Sequence, residues 1–513
     1  MTSPTSPVYV TDVPFVRQFC RELSPALLRA AAALGGFTIP AAADTFDYCE
    51  LGSGMGDTLC TLAAAYPRAR FIGVDINPEH AAFARGMAER GGLSNVTFLE
   101  RDLEDVGRGG VLPALDFVCA HGLLSWIGPG KRKAAIALAA AHLKPAGLFY
   151  VSYNALPGWA AVQPLRRLLR ELGGTEGTVI ERAERALSGA CRLRDHGAKY
   201  FEGNPAASEM LATMEKVGPA YVVHEYFHEH WLPMHFADLA GEMAAAGLSY
   251  CAELPIHRNV PRLALPEAAA PLVLAARDRL AFETLKDFAT NVFFRGDLYI
   301  KSGAAPGPAA LAAYLDATAF GTLVDADRVR REVKLPSATL HLPGEPFDTI
   351  VTLAAEGSGT LEAIARALPR FARERLREAL LDVLASEQIV PLVAVSPADG
   401  DAHDYNLSVL AEPLSLAHPV VLASPRAGTG LAVPALHAVC LRLLHLVSPA
   451  ERPAWIRAWV ERQPVRLFAA DRLVTDKGEQ ARILERELDK FRVQRLPRLQ
   501  ALGVVRPSPA DRR

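Results

Sequence analysis

The fold is decided by the stretch Phe46-Asp47-Tyr48-Cys49-Glu50-Leu51-Gly52-Ser53-Gly54-Met55-Gly56-Asp57. An apolar run leads into the acid Glu50, a glycine-dense turn follows, and an amphipathic helical pattern comes next. A second apolar run, residues 71–75, also ends in a carboxylate, Asp75. Glycines in the turn allow the backbone to approach a ligand closely, and an acid at the end of the second strand can accept the hydroxyls of a ribose. The pattern predicts a β-α-β unit that binds a nucleoside-containing cofactor.

The glycine spacing narrows the choice of cofactor. A dinucleotide fingerprint reads G-x-G-x-x-G, and its third glycine position is Asp57 when counted from Gly52 and Leu59 when counted from Gly54. The glycines here read G-x-G-x-G instead. Glu50, just before them, repels a pyrophosphate but suits an amino group.

This E-L-G-x-G-x-G arrangement resembles the motif of the class I S-adenosylmethionine (SAM) methyltransferases. In that family the glycine loop holds the methionine end of SAM, the acid after the second strand holds the ribose, and an acid after the third strand bonds the adenine amino group. The run Val96-Thr97-Phe98-Leu99-Glu100-Arg101-Asp102-Leu103 supplies that third site. The alternative, a nucleotide-binding fold without catalysis, does not account for three strand-end sites in this order. The resemblance implies SAM as cofactor and these binding residues: Glu50, Gly52, Ser53, Gly54, Gly56, Asp75, Ile76, Asp102, Leu103 and His121.

Composition restricts the class of protein. A chain of 513 residues predicts roughly three or four domains, and a formal net charge of -2 gives no global attraction to nucleic acid or anionic membrane. The seven cysteines show no C-x-x-C and no framework spacing, which indicates reduced thiols. No apolar run approaches about 18 residues. We therefore expect a cytoplasmic protein with no signal peptide, no membrane insertion and no nucleic-acid partner.

Hydrophobic periodicity predicts an α/β fold with a doubly wound, seven-stranded, Rossmann-like sheet. The predicted parallel strands are 46–51, 71–75, 96–100, 116–120 and 148–153. A helical insertion is expected over about 162–217. The closing antiparallel pair is expected at Tyr221–Phe227 and Leu248–Leu254, with a helix over 236–246 between them. These elements would form a SAM-binding core over residues 1–265.

Smaller, mainly helical domains are expected after the core. A helix within 277–300 has Phe282, Leu285 and Phe288 spaced for one face, and 303–308 reads as a linker. Residues 309–395 resemble a winged-helix pattern, which we interpret as a module for dimer or partner contacts because its arginines alternate with glutamates. A C-terminal helical domain is expected over 404–506, and residues 507–513 are expected to be disordered.

Two further motifs refine the resemblance. His121-Gly122-Leu123-Leu124-Ser125-Trp126 and Tyr153-Asn154-Ala155-Leu156-Pro157-Gly158-Trp159 are similar to signatures of bacterial methyltransferases that carry a methyltransferase regulatory domain. That domain would span about 221–301 here, and the N-terminal run 9–15 also fits. Relatives in this group include the rickettsial lysine methyltransferases of outer-membrane proteins. The resemblance covers roughly residues 9–301, and it extends only loosely beyond them.

The expected chemistry is methyl transfer at the ends of the fourth and fifth strands. Positioning matters most in such a displacement, and a lysine amine must first lose a proton, which aromatic walls favour by desolvation. His121 is the candidate proton acceptor and Tyr153 a candidate catalytic wall residue. Alternatively, His121 bonds a loop carbonyl and the tryptophans belong to the core. The predicted substrate pocket comprises Tyr9, Trp126, Asn154, Trp159, Glu225 and Tyr226.

The run His224-Glu225-Tyr226-Phe227-His228 matches the H-E-x-x-H zinc signature. Zinc binding requires both histidines on one face of a helix, whereas this segment reads as a strand. We therefore predict no metal site and assign Glu225 and Tyr226 to the substrate side of the sheet.

The sequence thus predicts a SAM-dependent methyltransferase that modifies lysine side chains of a protein, in a chain able to form a homodimer. A small-molecule or natural-product methyltransferase is the first alternative. A non-catalytic SAM-binding scaffold is the second.

Overall fold

The chain is described here from a computed structural model. The structure describes residues 17–39, 44–108, 110–302, 306–394, 401–414, 418–462, 467–469 and 472–507. Tyr9, predicted to close the substrate pocket, lies outside the described residues, as do residues 508–513 of the predicted tail.

A seven-stranded sheet forms the centre of the N-terminal half, with strand order β3-β2-β1-β4-β5-β7-β6. The first five strands run parallel, and β7 pairs antiparallel with both β5 and β6. The fold predicted from the sequence is therefore confirmed, and the five parallel strands lie where they were expected. The strands are β1 (Asp47–Leu51), β2 (Arg70–Asp75), β3 (Val96–Glu100), β4 (Leu115–Ala120), β5 (Leu143–Asn154), β6 (Leu248–Leu254) and β7 (Phe294–Lys301).

Helices cover both faces of this sheet because the central strands β1, β4 and β5 are buried on both sides. One face carries a core that includes Tyr48, Phe71 and Phe117, and the other carries a core that includes Val74 and Val118. The helices of the parallel part are α1 (Pro25–Leu34), α2 (Asp57–Ala65), α3 (Pro78–Arg90), α4 (Leu103–Arg108) and α5 (Pro129–His142).

A helical insertion follows β5, as predicted, and it has a core of its own built around Trp159, Leu165 and Leu211. Its helices are α6 (Gln163–Gly173), α7 (Val179–Asp195), α8 (Lys199–Glu202), α9 (Pro205–Val217) and α10 (Pro219–Tyr226).

The prediction of a strand at Tyr221–Phe227 is wrong, because residues 221–226 belong to helix α10 and Phe227 directly follows its end. Pro219 occupies the first turn after Gly218, whose φ is +102°, and proline favours that position of a helix. The β-branched pair Val222 and Val223 suggested a strand, but both side chains are fully buried in the insertion core. Tertiary packing overrides their local preference.

The strand that completes the antiparallel pair is instead β7, which pairs with β6. The sequence did not predict β7 because this strand carries the charged residues Arg295 and Asp297 at buried positions. The Arg295 guanidinium donates hydrogen bonds to Asp297 and Glu283, and it contacts Asp287. The charges are therefore neutralised inside the fold, and they do not mark an exposed face. Helix α11 (Phe236–Ala245) precedes β6, and the helices between β6 and β7 are α12 (Pro261–Ala264), α13 (Ala270–Leu274) and α14 (Arg279–Thr290).

Helix α14 is inverted relative to an ordinary surface helix. Its charged residues Glu283, Lys286 and Asp287 are at most 2% exposed, whereas Leu285 and Phe288 are 36% and 58% exposed. The apolar positions were predicted to share one face, and Leu285 and Phe288 point to solvent. On the inward face, Glu283 and Asp287 form ion pairs with Arg295 of β7 and neutralise its charge.

Two further modules follow the sheet. The first has α15 (Ala309–Ala317), β8 (Ala319–Thr322), β9 (Glu332–Lys334), β10 (Thr339–His341), α16 (Phe347–Ala355), β11 (Gly359–Thr360), α17 (Leu361–Ala367), α18 (Arg373–Ala385) and β12 (Ile389–Pro391). The second has α19 (His403–Ala411), β13 (Val420–Ser424), β14 (Thr429–Val433), α20 (Ala435–His445), α21 (Arg452–Arg462), β15 (Leu467–Ala469), β16 (Arg472–Val474), α22 (Lys477–Gln494) and α23 (Leu496–Ala501). The first module thus contains four helices, α15 to α18, and a small sheet of β8, β11 and β12. Its winged-helix character stays a prediction.

Both modules pack against the catalytic half through shared apolar cores. Leu315 and Phe320 of the first module belong to the same buried cluster as α1 and α2. Tyr405 of the second module lies against α2 and α3, with its hydroxyl 3.0 Å from the Thr61 hydroxyl. The modules therefore stabilise the sheet as well as extending its surface.

A chain that ends at Ser302 is expected to be largely insoluble. Truncation there removes Leu315, Phe320 and Tyr405 and leaves the apolar sides of α1 and α2 facing water, at a cost of about 25 cal/mol for each Å² of apolar surface exposed. The comparison is the soluble yield of the truncated and full-length chains under the same conditions. Recovery of a soluble truncated chain with the full transfer rate would contradict both this packing and any role of the modules in acceptor selection.

Candidate active site

A cavity of about 350 Å³ opens at the carboxyl ends of the parallel strands, where ligands bind in open α/β sheets. Its lining combines the glycine loop after β1, the end of β2, the loop after β4, helix α10 and the start of β7. A smaller adjoining pocket of about 90 Å³ lies between β2, β3 and α5. The cavity is lined by Gln18, Cys20, Glu50, Gly52, Ser53, Gly54, Met55, Gly56, Asp57, Thr58, Asp75, Ile76, Asn77, His80, His121, Gly122, Leu123, Trp126, Ile127, Glu225, His228 and Phe294.

The glycine loop needs its glycines for backbone geometry. Gly52, Gly54 and Gly56 all have positive φ values, which other residues adopt only with strain. At Gly56 an added Cβ would also lie 2.6 Å from the Ala84 Cβ, so this glycine lets α2 and α3 approach closely. The loop thus reaches the cavity in one fixed conformation.

Asp75 joins the glycine loop to the end of β2. One carboxylate oxygen accepts a hydrogen bond from the Gly54 amide at 2.8 Å, and the other accepts one from the Asn77 amide at 2.8 Å. The same carboxylate lines both the cavity and the adjoining pocket. Its position at the junction fits the predicted contact with a ribose.

The adjoining pocket contains Asp102, the acid predicted to contact adenine, together with Ile76 and Leu103. The Asp102 carboxylate accepts a hydrogen bond from the Glu104 amide at 3.0 Å and forms an ion pair with Lys131. Lys131 comes from the first turn of α5 and belongs to no recognisable motif, so it was not predicted. A narrow apolar pocket with a polar rim suits a flat aromatic base.

Glu50 is the most strongly perturbed acid of the cavity. Burial, and secondly the negative charge of Asp75, raise the pKa of the Glu50 carboxyl to about 8. Its Oε2 atom is buried and has no hydrogen-bond partner among the residues that the structure describes. A buried acceptor without a donor is costly, so the site fits a ligand that brings an ammonium group there. This is the chemistry expected for the methionine end of SAM.

His121 lies at the end of β4 and lines the cavity, as predicted. Its Nδ1 atom is 3.0 Å from the Ser152 hydroxyl oxygen and 3.5 Å from that of Tyr150. Burial lowers the pKa of the imidazole, which favours the neutral ring. The phenyl ring of Phe294 meets the imidazole edge to face at 6.0 Å.

The end of the cavity away from the glycine loop is aromatic and acidic. Trp126, Phe294 and Glu225 line it together with His121, and the described lining residues include no lysine or arginine. Burial alone raises the pKa of the Glu225 carboxyl to about 7. Trp126 and Glu225 were predicted for the substrate pocket, whereas Phe294 was missed because β7 was missed.

The catalytic candidate Tyr153 and three predicted pocket residues, Asn154, Trp159 and Tyr226, lie outside the described lining. Tyr153 points to the opposite face of β5 from Ser152, where its hydroxyl donates to Asp297 at 2.6 Å, so the catalytic prediction for Tyr153 is contradicted. Trp159 and Tyr226 pack in the insertion core. Asn154 is 4% exposed, and its backbone N–H donates to the Ser125 hydroxyl. These side chains support the walls from behind.

The prediction that the H-E-x-x-H run forms a strand is wrong, since His224 lies on helix α10. Helix α10 ends at Tyr226, however, and His228 follows it by two residues, so the histidines do not share one helical face as a zinc site requires. The described parts of the chain contain no group of three or more ligating side chains placed to hold a metal ion.

We expect purified protein to contain no stoichiometric zinc and to keep its methyl transfer after treatment with a chelator. Elemental analysis of the protein before and after dialysis against chelator checks this. One zinc ion per chain that disappears in His224→Ala would instead establish a metal site at this run.

Comparison with known proteins decides the family. A methyltransferase domain model matches residues 49–147, and a predicted methyltransferase regulatory domain model matches residues 218–301. The chain is an enzyme with a SAM-dependent methyltransferase domain. The regulatory segment predicted at 221–301 coincides with the second match, and this segment supplies Glu225, His228 and Phe294 to the cavity.

The similarity of this methyltransferase to known proteins extends along most of its length. An uncharacterized protein of Synechocystis sp. is 29% identical over 502 residues, which is 97% of this chain and 99% of that protein. An uncharacterized protein of Rickettsia prowazekii is 25% identical over 294 residues, which is 56% of this chain and 51% of that protein. The structure of PKMT2 from Rickettsia typhi in complex with AdoHcy superposes with a TM-score of 0.68 at 17% identity, over 94% of this chain and 99% of that one.

The methyltransferase shows no segment suited to cross a bilayer: in the described part of the chain, no helix is both long and apolar enough.

Proposed function

We propose that this methyltransferase transfers methyl groups from SAM to lysine side chains of a protein. The observation that carries the proposal is the size and lining of the cavity. About 350 Å³, with a further 90 Å³ in the adjoining pocket, lies at the low end of the range for one drug-sized ligand, about 300–1,000 Å³. The cofactor occupies most of this space, so the acceptor has to reach the methyl group from the open side of the cavity, as a protruding side chain can.

The chemical character of that remaining space supports an amine. Trp126 and Phe294 are aromatic faces that attract a cation and desolvate it, and desolvation favours the neutral, nucleophilic amine. Glu225 adds a negative charge on the same side. A carboxylate acceptor would be repelled by the ionised form of Glu225.

The residues of this chain divide the work in the proposed reaction. Bound SAM supplies the methyl group as a sulfonium. Glu50 binds its ammonium group, Asp75 its ribose and Asp102 its adenine amino group, which fixes the cofactor. Trp126, Phe294 and His121 exclude water from the acceptor end, so that acceptor and methyl group meet in line. Only contacts that improve toward the transition state raise the rate.

We further propose that the modules after residue 308 select a macromolecular acceptor, since a small acceptor would not need that surface. The similarity of the fold to PKMT2 of Rickettsia typhi over almost the whole chain is consistent with this. Dimerisation through these modules and a cytoplasmic location stay predictions.

The experiment is incubation of the enzyme with methyl-labelled SAM and a size-fractionated cell extract. We expect the label to appear in protein, and a Glu50→Gln enzyme processed in parallel to give little. Label recovered only in small metabolites would favour the small-molecule alternative. SAM binding without label in any fraction would favour the scaffold.

A further inference from the structure

Two carboxylates of the cavity have no cation beside them. Within the described residues, neither Glu50 nor Glu225 has a lysine, arginine or histidine nitrogen within ion-pair distance of its carboxylate. Glu50 lies beside the glycine loop, where the ammonium group of the cofactor is expected. Glu225 lies on α10 and lines the same cavity, so its carboxylate is available to a second positive group.

Glu225 is held in place by the fold. The Arg166 guanidinium donates to the backbone carbonyls of Tyr226 at 3.1 Å and Glu229 at 3.3 Å, and it contacts that of His228. It also lies over the Trp231 ring at 5.5 Å. The end of α10 is therefore clamped from behind, which keeps the carboxylate beside the cavity instead of releasing it to solvent.

Other titratable groups that face the acceptor end are less suited to bind a cation. His121 on β4 uses Nδ1 within the fold, and burial lowers the pKa of its ring. His228 follows α10, and Trp126 and Phe294 from the β4 loop and β7 carry no charge. Glu22 acts on the His121 ring and Tyr221 lies near Glu225, but neither lines the cavity. Among the described lining residues of the regulatory segment, Glu225 is the one carboxylate.

We propose that Glu225 binds the ammonium group of the acceptor lysine and removes one of its protons before methyl transfer. This inference rests on the proposed function. The carboxylate takes the proton, and the freed lone pair of the amine forms the N–C bond with the methyl carbon. The C–S bond of SAM breaks with its electrons on sulfur, which leaves a neutral thioether and a methylated ammonium ion. Glu225 then gives its proton to solvent.

The burial that raises the Glu225 pKa to about 7 suits this step, since a base works best when its pKa lies near the operating pH. Loss of a positioned general base lowers rates by about 100-fold to 10,000-fold. We therefore expect Glu225→Gln to reduce transfer to protein by at least about 100-fold.

The test uses n-butylammonium as a mimic of the lysine side chain, titrated into the complex of the full chain with S-adenosylhomocysteine (SAH). Glu229→Gln is the matched control, because Glu229 is an exposed carboxylate four residues further on and does not line the cavity. We expect the parent enzyme and Glu229→Gln to bind butylammonium equally, and Glu225→Gln to lose at least tenfold in affinity. Glu225→Asp should restore part of the loss, and n-pentanol, which is uncharged, should not compete.

Affinities for SAM and SAH separate this role from others. Equal SAH affinity of Glu225→Gln and the parent enzyme shows that the variant is folded. A loss of SAM affinity without a loss of SAH affinity would place Glu225 at the sulfonium and overturn the proposal, as would unchanged butylammonium binding in Glu225→Gln. If the parent enzyme labels only small metabolites while the butylammonium result holds, the proposed protein acceptor fails and the amine site at Glu225 stands.

Discussion

Asp75→Ala is expected to weaken SAM binding by more than tenfold. The carboxylate lies where the glycine loop meets the end of β2, and it lines both the cavity and the adjoining pocket. A lost hydrogen bond to a charged group costs about 1.5–3 kcal/mol, and 1.4 kcal/mol corresponds to a factor of ten in affinity. The substitution also frees the Gly54 and Asn77 amides, which loosens the loop that faces the cofactor.

Calorimetric titration with SAM measures this loss. Asp75→Asn separates the two contributions, because the amide keeps one acceptor oxygen for the backbone and loses the charge. Asp105→Ala is the control, since Asp105 is an exposed carboxylate on the next helix but one and lies outside the cavity lining. Unchanged SAM affinity in Asp75→Ala would show that Asp75 does not bind the ribose.

SAM binding near pH 7 is expected to release a proton from Glu50. In the ligand-free enzyme, burial and then Asp75 raise the pKa of this carboxyl to about 8, so it is protonated at pH 7. The ammonium group of SAM is bound by the ionised form. Affinity should therefore rise with pH by up to about tenfold per unit below pH 8 and level off above it.

The same shift has a consequence for stability. The folded-state pKa of Glu50 lies above its ordinary value of 4.5, so the folded enzyme binds this proton more tightly than the unfolded chain does. Its contribution to the free energy of unfolding is present below pH 4.5 and is lost as the pH rises from 4.5 to 8. Glu50→Gln should remove this part of the pH dependence, measured by chemical denaturation without ligand.

Calorimetry in buffers of different ionisation enthalpy counts the released protons. Glu50→Gln should abolish the release and weaken binding at pH 8 by about 1.5–3 kcal/mol. Burial raises the pKa of Glu225 to about 7. Because Glu225 is present in both proteins, any proton that it releases or takes up contributes equally to the two measurements. Proton release that persists in Glu50→Gln would contradict the assignment.

The cofactor half of the site was readable from the sequence because each residue stands at a strand end. Glu50, Asp75 and Asp102 follow apolar runs, and parallel strands bring their carboxyl ends to one edge of a sheet. The glycine spacing then defined the loop between them. Lys131 was not predicted because it lies in the first turn of helix α5, which carries no motif of its own.

The acceptor half was harder to predict because it depends on tertiary packing. Tyr153 was chosen from a motif, but the alternation of side chains along β5 turns Ser152 toward His121 and Tyr153 toward Asp297. Phe294 was not predicted because the charged residues of β7 make this strand look like a polar segment in the sequence. Arg295 and Asp297 compensate each other within the strand, and Glu253 on β6 and Glu283 on α14 complete the cluster.

The central claim is methyl transfer from SAM to a lysine side chain, and the chemical identity of the methylated atom tests it most directly. Protein labelled by the full-length enzyme with methyl-labelled SAM is hydrolysed in acid, and its amino acids are separated. The account predicts that the label elutes as Nε-methylated lysine and that it is absent when Glu50→Gln replaces the parent enzyme. Label released as methanol in mild base, or recovered on any amino acid other than lysine, would contradict it.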